Sequence, residues 1–170
     1  MPFTPYHLGP GLALGLPLRR WLHLPTFLLA SIAVDIEPLL VFVFGLDYPL
    51  HGYLHTFLAA FLYGLLLGHI MLLLEKSFAP LYKLLLLEAG EQTSARAFYA
   101  AGVIGTELHV LLDAPLYSDI KPFFPLTINP LYNPTLTPLI YELCVAAWLL
   151  GILFYGIIVV ATILRKLRKD

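Results

Sequence analysis

Charge is what this chain has least of. Only 12% of its 170 residues are Asp, Glu, Lys or Arg, while 59% are hydrophobic; an ordinary soluble domain is roughly 25% charged. A chain of this length has too little interior to hide so much apolar side chain from water, so lipid must solvate much of it. Neither sign of charge dominates, and the formal net charge of −1 leaves no basic footprint for nucleic acid. Cysteine is nearly missing. Cys144 alone excludes an internal disulfide and a thiolate metal cluster, and within its apolar run it is expected to pack as a small hydrophobe. There is no His-Glu-x-x-His helix, the signature of one large class of zinc protease. No basic stretch precedes the first apolar segment, so that segment is not read as a signal peptide.

What is present is a series of long apolar runs. They predict an all-α, polytopic membrane protein with about five membrane segments plus a short interfacial helix, forming one domain over residues 1–170. The strongest run covers 138–164 and ends in Arg165, Lys166, Arg168 and Lys169. Others cover 25–46, 53–74 and 97–116. The first, 5–18, is short and carries Pro10 and Pro17; a re-entrant helix, a short tilted span and an uncleaved anchor all suit it. Residues 78–88 suggest an amphipathic helix on the membrane surface. With the C-terminus cytoplasmic, alternation puts nine of the ten Lys and Arg residues on that side and leaves Lys121 outside, as the positive-inside rule requires.

Against this background the ionisable residues inside or at the opening of the apolar runs stand out: His7, Asp35, Glu37, His51, His55, Glu107, His109 and Asp113. Each costs at least a few kcal/mol at bilayer depth unless it pairs, binds a metal or lines a wet cavity. At 1.5 Å of rise per residue, His7 and Asp35 each stand about 18 Å above the inner end of their segments, His109 about 20 Å, Asp113 about 26 Å and His55 about 30 Å. Four segments thus deliver polar side chains to the outer half of the bilayer. His51 and His55 are four residues apart, as are His109 and Asp113, so each pair is expected to share a helical face. Asp35 and Glu37, two apart, diverge on a regular helix unless Pro38 distorts it.

Imidazoles and carboxylates without thiolates suit zinc, manganese or iron. The candidate ligands are His7, Asp35, Glu37, His51, His55, His109 and Asp113; one catalytic ion takes roughly three or four, so one or two ions are expected. Glu37 and Asp35 are the candidate catalytic groups and Lys121 a candidate substrate-binding residue. Ordinary structural roles are expected of His23 and His69, an interfacial charge of Glu142, solvated loop positions of Asp47 and Asp119, and Glu107 is expected to point away from His109.

The opening Met-Pro-Phe-Thr-Pro-Tyr-His, the Asp-Ile-Glu-Pro at 35–38, His-Gly-Tyr-Leu-His-Thr at 51–56, His-Val-Leu-Leu-Asp at 109–113 and Pro-Phe-Phe-Pro at 122–125 occur in an order that resembles the membrane-bound metal-dependent hydrolases. That broad family includes the LexA-regulated inner-membrane hydrolase and is distantly similar to zinc-dependent phospholipase C. The resemblance covers residues 1 to about 125. In two places the pattern differs: the second element lacks the family's histidine, and the third lacks its arginine and is one residue shorter.

The resemblance implies a divalent metal, zinc being the expected ion, and a hydrolase of phospholipase C type. The expected activity is hydrolysis of a phosphoester in a lipid or lipid-linked head group at the outer-leaflet side of the cell membrane, with membrane lipid as partner and no nucleic acid. A metal or proton transport protein and a membrane scaffold with a structural metal are the alternatives.

Overall fold

The computed structural model describes residues 5–87 and 94–168. Among these the chain is helical, with no strand: α1 (Pro5–Leu18), α2 (Leu24–Ala33), α3 (Ile36–Phe44), α4 (Phe57–Leu84), α5 (Ala95–Asp113) and α6 (Thr137–Leu167), with single 3₁₀ turns at Tyr53–His55 and Pro134–Leu136. Local chemistry sets the boundaries. The Thr56 and Ser94 side chains accept from the Ala59 and Ala97 amides and cap α4 and α5, satisfying donors that the first turn leaves open. His23 does the same for α2 through Thr26. Gly45, at φ +58, ends α3 in the left-handed conformation that glycine adopts without penalty.

Small residues set the packing. Gly64 meets Gly102 and Thr106, Gly68 meets Phe98 and Tyr99, and the Thr106 hydroxyl donates to the Ala60 carbonyl at 2.8 Å. These pairs run in opposite senses along the chain, so α4 and α5 are antiparallel and nearly in backbone contact, as small-residue interfaces permit. Gly105 seats α5 on Phe27, Ala30 and Ser31 of α2, while Gly11 and Gly15 seat α1 on Leu24, Phe27, Leu28 and Ser31 of the same helix. Gly9 and Gly151 pair α1 with α6. The helices therefore alternate in direction: α1, α4 and α6 run one way, α2 and α5 the other.

Two helices, α4 and the stretch Pro134–Leu167 that contains α6, are long and apolar enough to cross a membrane; α2 with α3, bent by 42° at their junction, makes a third if counted as one broken span. This is fewer than the five segments expected from sequence. At 14 residues, α1 reaches only about 21 Å, short of the roughly 30 Å hydrocarbon core. The α5 helix has the length, but Glu107, His109 and Asp113 dilute its apolarity. The outward faces remain apolar: Leu149 and Leu73 are 66% and 70% exposed, and only 11% of the most apolar stretch of α6 is buried within the protein.

The separate interfacial helix expected at 78–88 is not seen. Residues 78–84 continue α4 through Pro80, because Tyr82 packs with Met71 and Phe98 and ties the end of the helix to the body; Glu88 lies outside the described residues.

Candidate metal centre

The site lies where α1 and α4 begin, α5 ends and α2 breaks into α3. The break explains its most improbable feature. Asp35 sits between the two helices as the residue before α3, and the 42° bend lets Asp35 and Glu37 both serve one region although a straight helix would send them apart. Pro38 falls in the first turn of α3, where its missing N–H leaves no bond unmade.

Asp35, His55, His109 and Asp113 each offer one ligand atom, and these atoms lie within 4.8 Å of one another. His55 and His109 are 0% exposed and Asp113 1%. His109 Nε2 is 3.5 Å from Asp35 Oδ1 and 3.5 Å from Asp113 Oδ2, and His55 Nε2 is 4.0 Å from that same Asp113 oxygen.

The opposite edge of each imidazole fixes its tautomer. His109 Nδ1 stands 2.9 Å from the Ser31 carbonyl, which can only accept, so Nδ1 carries the proton. His55 Nδ1 stands 2.9 Å from Glu37 Oε2. Glu37 accepts from three donors in all: its Oε1 takes the Tyr48 hydroxyl at 3.2 Å and the Leu54 amide at 3.1 Å. In the neutral rings both Nε2 atoms are then bare lone pairs facing carboxylate oxygens. Neither Nε2 has a hydrogen-bond partner among the described residues, nor has Asp113 Oδ1. Each such orphan costs about 1–3 kcal/mol when buried, and acceptors facing acceptors add repulsion. A cation at their centre removes both costs. Imidazoles oriented from behind by a carbonyl and a carboxylate are the usual backing of a metal-binding histidine. The buried Asp/His/His/Asp group can therefore hold a metal ion.

No family model, curated protein or solved structure matches the chain. The site has to be judged on its own geometry.

The other expected residues take different places. His7 stacks on His109 at 3.9 Å between ring centroids, and its Nε2 comes within 3.2 Å of Asp113 Oδ1 but out of line for a hydrogen bond. It is buried at the edge of the group, facing the second oxygen of Asp113. Glu37 stands behind His55 with both oxygens engaged. His51 is not on a helical face with His55, as the four-residue spacing suggested. It lies in the loop before Gly52, and His55 ends a 3₁₀ turn, because Thr56 caps α4 and starts the helix only at Phe57. The two rings still meet edge to face at 4.8 Å.

His51 Nδ1 is 3.0 Å from both oxygens of Asp119 and its ring stacks on Tyr117. Asp119 is thus a partner of His51 rather than a merely solvated loop residue. Burial pushes the Tyr48 and Tyr117 hydroxyls up from the ordinary phenol range, so both remain neutral at neutral pH. Lys121 lines a cavity of about 140 Å³ that reaches His51 and Asp119.

The remaining titratable groups lie apart. His23 pairs with Glu75 at 3.1 Å near the opposite end of the bundle, and His69 with the Tyr99 hydroxyl at 2.9 Å. Glu107 occupies the face of α5 away from His109 and is partly exposed. Asp47 and Glu142 are exposed.

Proposed function

We propose that this protein is a membrane-embedded, metal-dependent hydrolase that cleaves a phosphoester of a lipid or lipid-linked head group from the outer-leaflet side. One observation carries the proposal: the Nε2 atoms of His55 and His109, buried and without a hydrogen-bond partner among the described residues, converge with carboxylate oxygens of Asp35 and Asp113 within 4.8 Å, an arrangement that suits a cation. Asp35, His55, His109 and Asp113 would hold the ion, with His7 beside them on the free oxygen of Asp113. Nitrogen and oxygen ligands without sulfur fit zinc, with manganese as the alternative. When bound, such an ion supplies Lewis acidity toward a phosphoryl oxygen and toward water.

The chain's own residues supply the rest. Glu37, committed to three donors, holds the His55 ring in place and is a positioning residue rather than a base. The Asp35 side chain is 17% exposed, against 2% or less for its three neighbours, so it meets incoming water and is the group placed to take its proton. A crevice of about 10 Å³ borders His7, Asp113 and Tyr141 between α1, α5 and α6, which is room for about one water. Lys121, in the cavity beyond His51, would meet the substrate phosphate. A site among helix ends in an apolar bundle suits a lipid, which arrives by lateral diffusion.

The proposed topology has the bent α2–α3 pair, α4, α5 and α6 traversing the bilayer, with α1 a short membrane segment packed between α2 and α6 and the C-terminus cytoplasmic. The antiparallel register of α4 and α5 supports it: wherever α4 crosses, α5 runs back beside it. The basic residues Arg19, Arg20, Lys83, Arg96 and Arg165 stand at the helix ends remote from the site.

A structural metal is the competing assignment, favoured by the presence of four side-chain ligands, enough to fill a tetrahedral zinc shell. The deciding experiment is to incubate purified, metal-loaded protein with liposomes containing phospholipids and lipid phosphates, with Asp113→Ala as control. Metal-dependent release of phosphate or diacylglycerol that the substitution abolishes is expected. No turnover with zinc, manganese or magnesium, from protein whose metal is fully coordinated by side chains, overturns the hydrolase in favour of the structural metal.

A further inference from the structure

The cavity beside His51 has a lining that the metal centre does not account for. Three aromatic rings meet there at steep angles: Tyr53 and Phe124 stand edge to face with centroids 5.3 Å apart, and Tyr48 and Tyr53 are tilted by 50° at 6.3 Å. Tyr53 and Phe124 are 59% and 39% exposed, so their faces are available. The arrangement is built in. The Tyr48 hydroxyl donates to Glu37 and accepts from the Tyr53 amide at 3.0 Å. Gly52 leaves room for the Tyr48 ring at a place where any Cβ would collide with it.

Both signs of charge share the same lining. Asp119 lies on it with a side chain 44% exposed even while it pairs with His51, and Lys121 lies on it as well. A site for a plain anion would have no use for the carboxylate or for bare ring faces. Aromatic faces and a carboxylate together attract an ammonium group, and a lysine beside them attracts a phosphate. At about 140 Å³, against the roughly 10–15 Å³ that admits one water, the cavity has room for a small multi-atom group.

We infer that this cavity is a head-group subsite for an ammonium-bearing, zwitterionic phospholipid, with Tyr48, Tyr53 and Phe124 enclosing the ammonium beside Asp119 and Lys121 meeting the phosphate. The inference rests on the proposed lipid-directed activity for its biological setting, and it narrows the substrate class from any phosphoester lipid to one carrying a positive head group. His51 forms the wall between the cavity and the metal centre: its ring borders the cavity and meets His55 edge to face.

The test uses choline and its neutral isostere 3,3-dimethylbutanol, which have the same shape but differ in charge. Neither contains a phosphoester, so the result is independent of turnover. Binding to the full chain in maltoside detergent is followed by calorimetry or ligand-observed NMR. Choline is expected to bind about fivefold or more tighter than the isostere, the range of a partly desolvated cation–π contact, and Tyr53→Leu or Phe124→Leu should remove that preference. Equal affinity for the two probes, or no saturable choline binding, overturns the subsite on the unmodified protein alone. A preference that survives both substitutions also overturns it. If choline is preferred as expected while no lipid is hydrolysed, the subsite stands as a lipid-binding cage and only the hydrolase proposal falls.

Discussion

His109 shows how one residue is fitted to its task. Its Nδ1–H is spent on the Ser31 carbonyl at 2.9 Å, and its other nitrogen looks onto two carboxylates 3.5 Å away. Removing a ligand from such a group should empty it, so His109→Ala and Asp113→Ala are each expected to lower the metal content of purified protein well below that of wild type. His69→Ala, far from the group and hydrogen-bonded to Tyr99, should leave it unchanged. Metal content measured by elemental analysis decides, and loss in the His69 variant alone would move the site to the wrong end of the bundle. Glu37→Gln tests positioning: losing one charged partner behind a metal-binding histidine typically weakens affinity by about 10- to 100-fold. A competition titration should show that loss with the metal still bound stoichiometrically at saturation. The four residues whose ligand atoms converge were legible in the sequence because each is an ionisable group inside an apolar run. Their backing was not. Ser31 contributes only a carbonyl, and Asp119 finds His51 across 68 residues of chain, so no local spacing announces either.

At the scale of elements, the molecule depends on backbones that nearly touch. A Cβ added at Gly102 would overlap the Gly64 carbonyl oxygen, so Gly102→Ala must push α4 and α5 apart and take Thr106 away from Ala60. Overpacking of this kind costs about 1–3 kcal/mol, and a clear drop in melting temperature in detergent is expected. Gly156, on the outer face of α6 with nothing within 4 Å of an added Cβ, is the control, and Gly156→Ala should melt no lower than wild type. Equal melting of the two variants would mean that α4 and α5 are not in the contact described. The apolar runs gave the approximate extent of the helices but not their number, since the run at 25–46 is two helices. Pro38 hinted at a distortion near Asp35, but periodicity alone could not place the 42° break there. Nor could the runs show that α4 runs on past Lys76 to Leu84, since that depends on Tyr82 reaching Phe98.

For the whole molecule the open quantity is how many times the chain crosses the bilayer. Length and apolarity alone admit two or three crossings, whereas the packing argues for more. An isolated α5 with Glu107, His109 and Asp113 would insert poorly, because each ionisable group costs a few kcal/mol in lipid. Buried against α2 and α4, His109 and Asp113 face protein instead, and the apolar face toward lipid is carried by residues such as Ile104 and Leu111, 46% and 54% exposed. Hydropathy scored helix by helix misses this shielding. The two topologies make opposite predictions for a pair of exposed positions. Lys83 lies near the end of α4, and Ile128, 67% exposed, lies in the loop between α5 and α6. Ile128 is preferable to its neighbour Asn129, whose amide donates to the Ala114 and Tyr117 carbonyls. If α5 crosses, cysteines introduced at 83 and 128 lie on opposite sides; if it does not, both lie on one side. Cys144 is 4% exposed and should stay silent toward a membrane-impermeant maleimide. If the basic Lys83 end is cytoplasmic, as the proposed orientation has it, labelling of intact cells should modify Ile128→Cys and spare Lys83→Cys until the membrane is permeabilised. Modification of both from outside would remove the α5 crossing, and with it the placement of the metal group in the outer half of the bilayer.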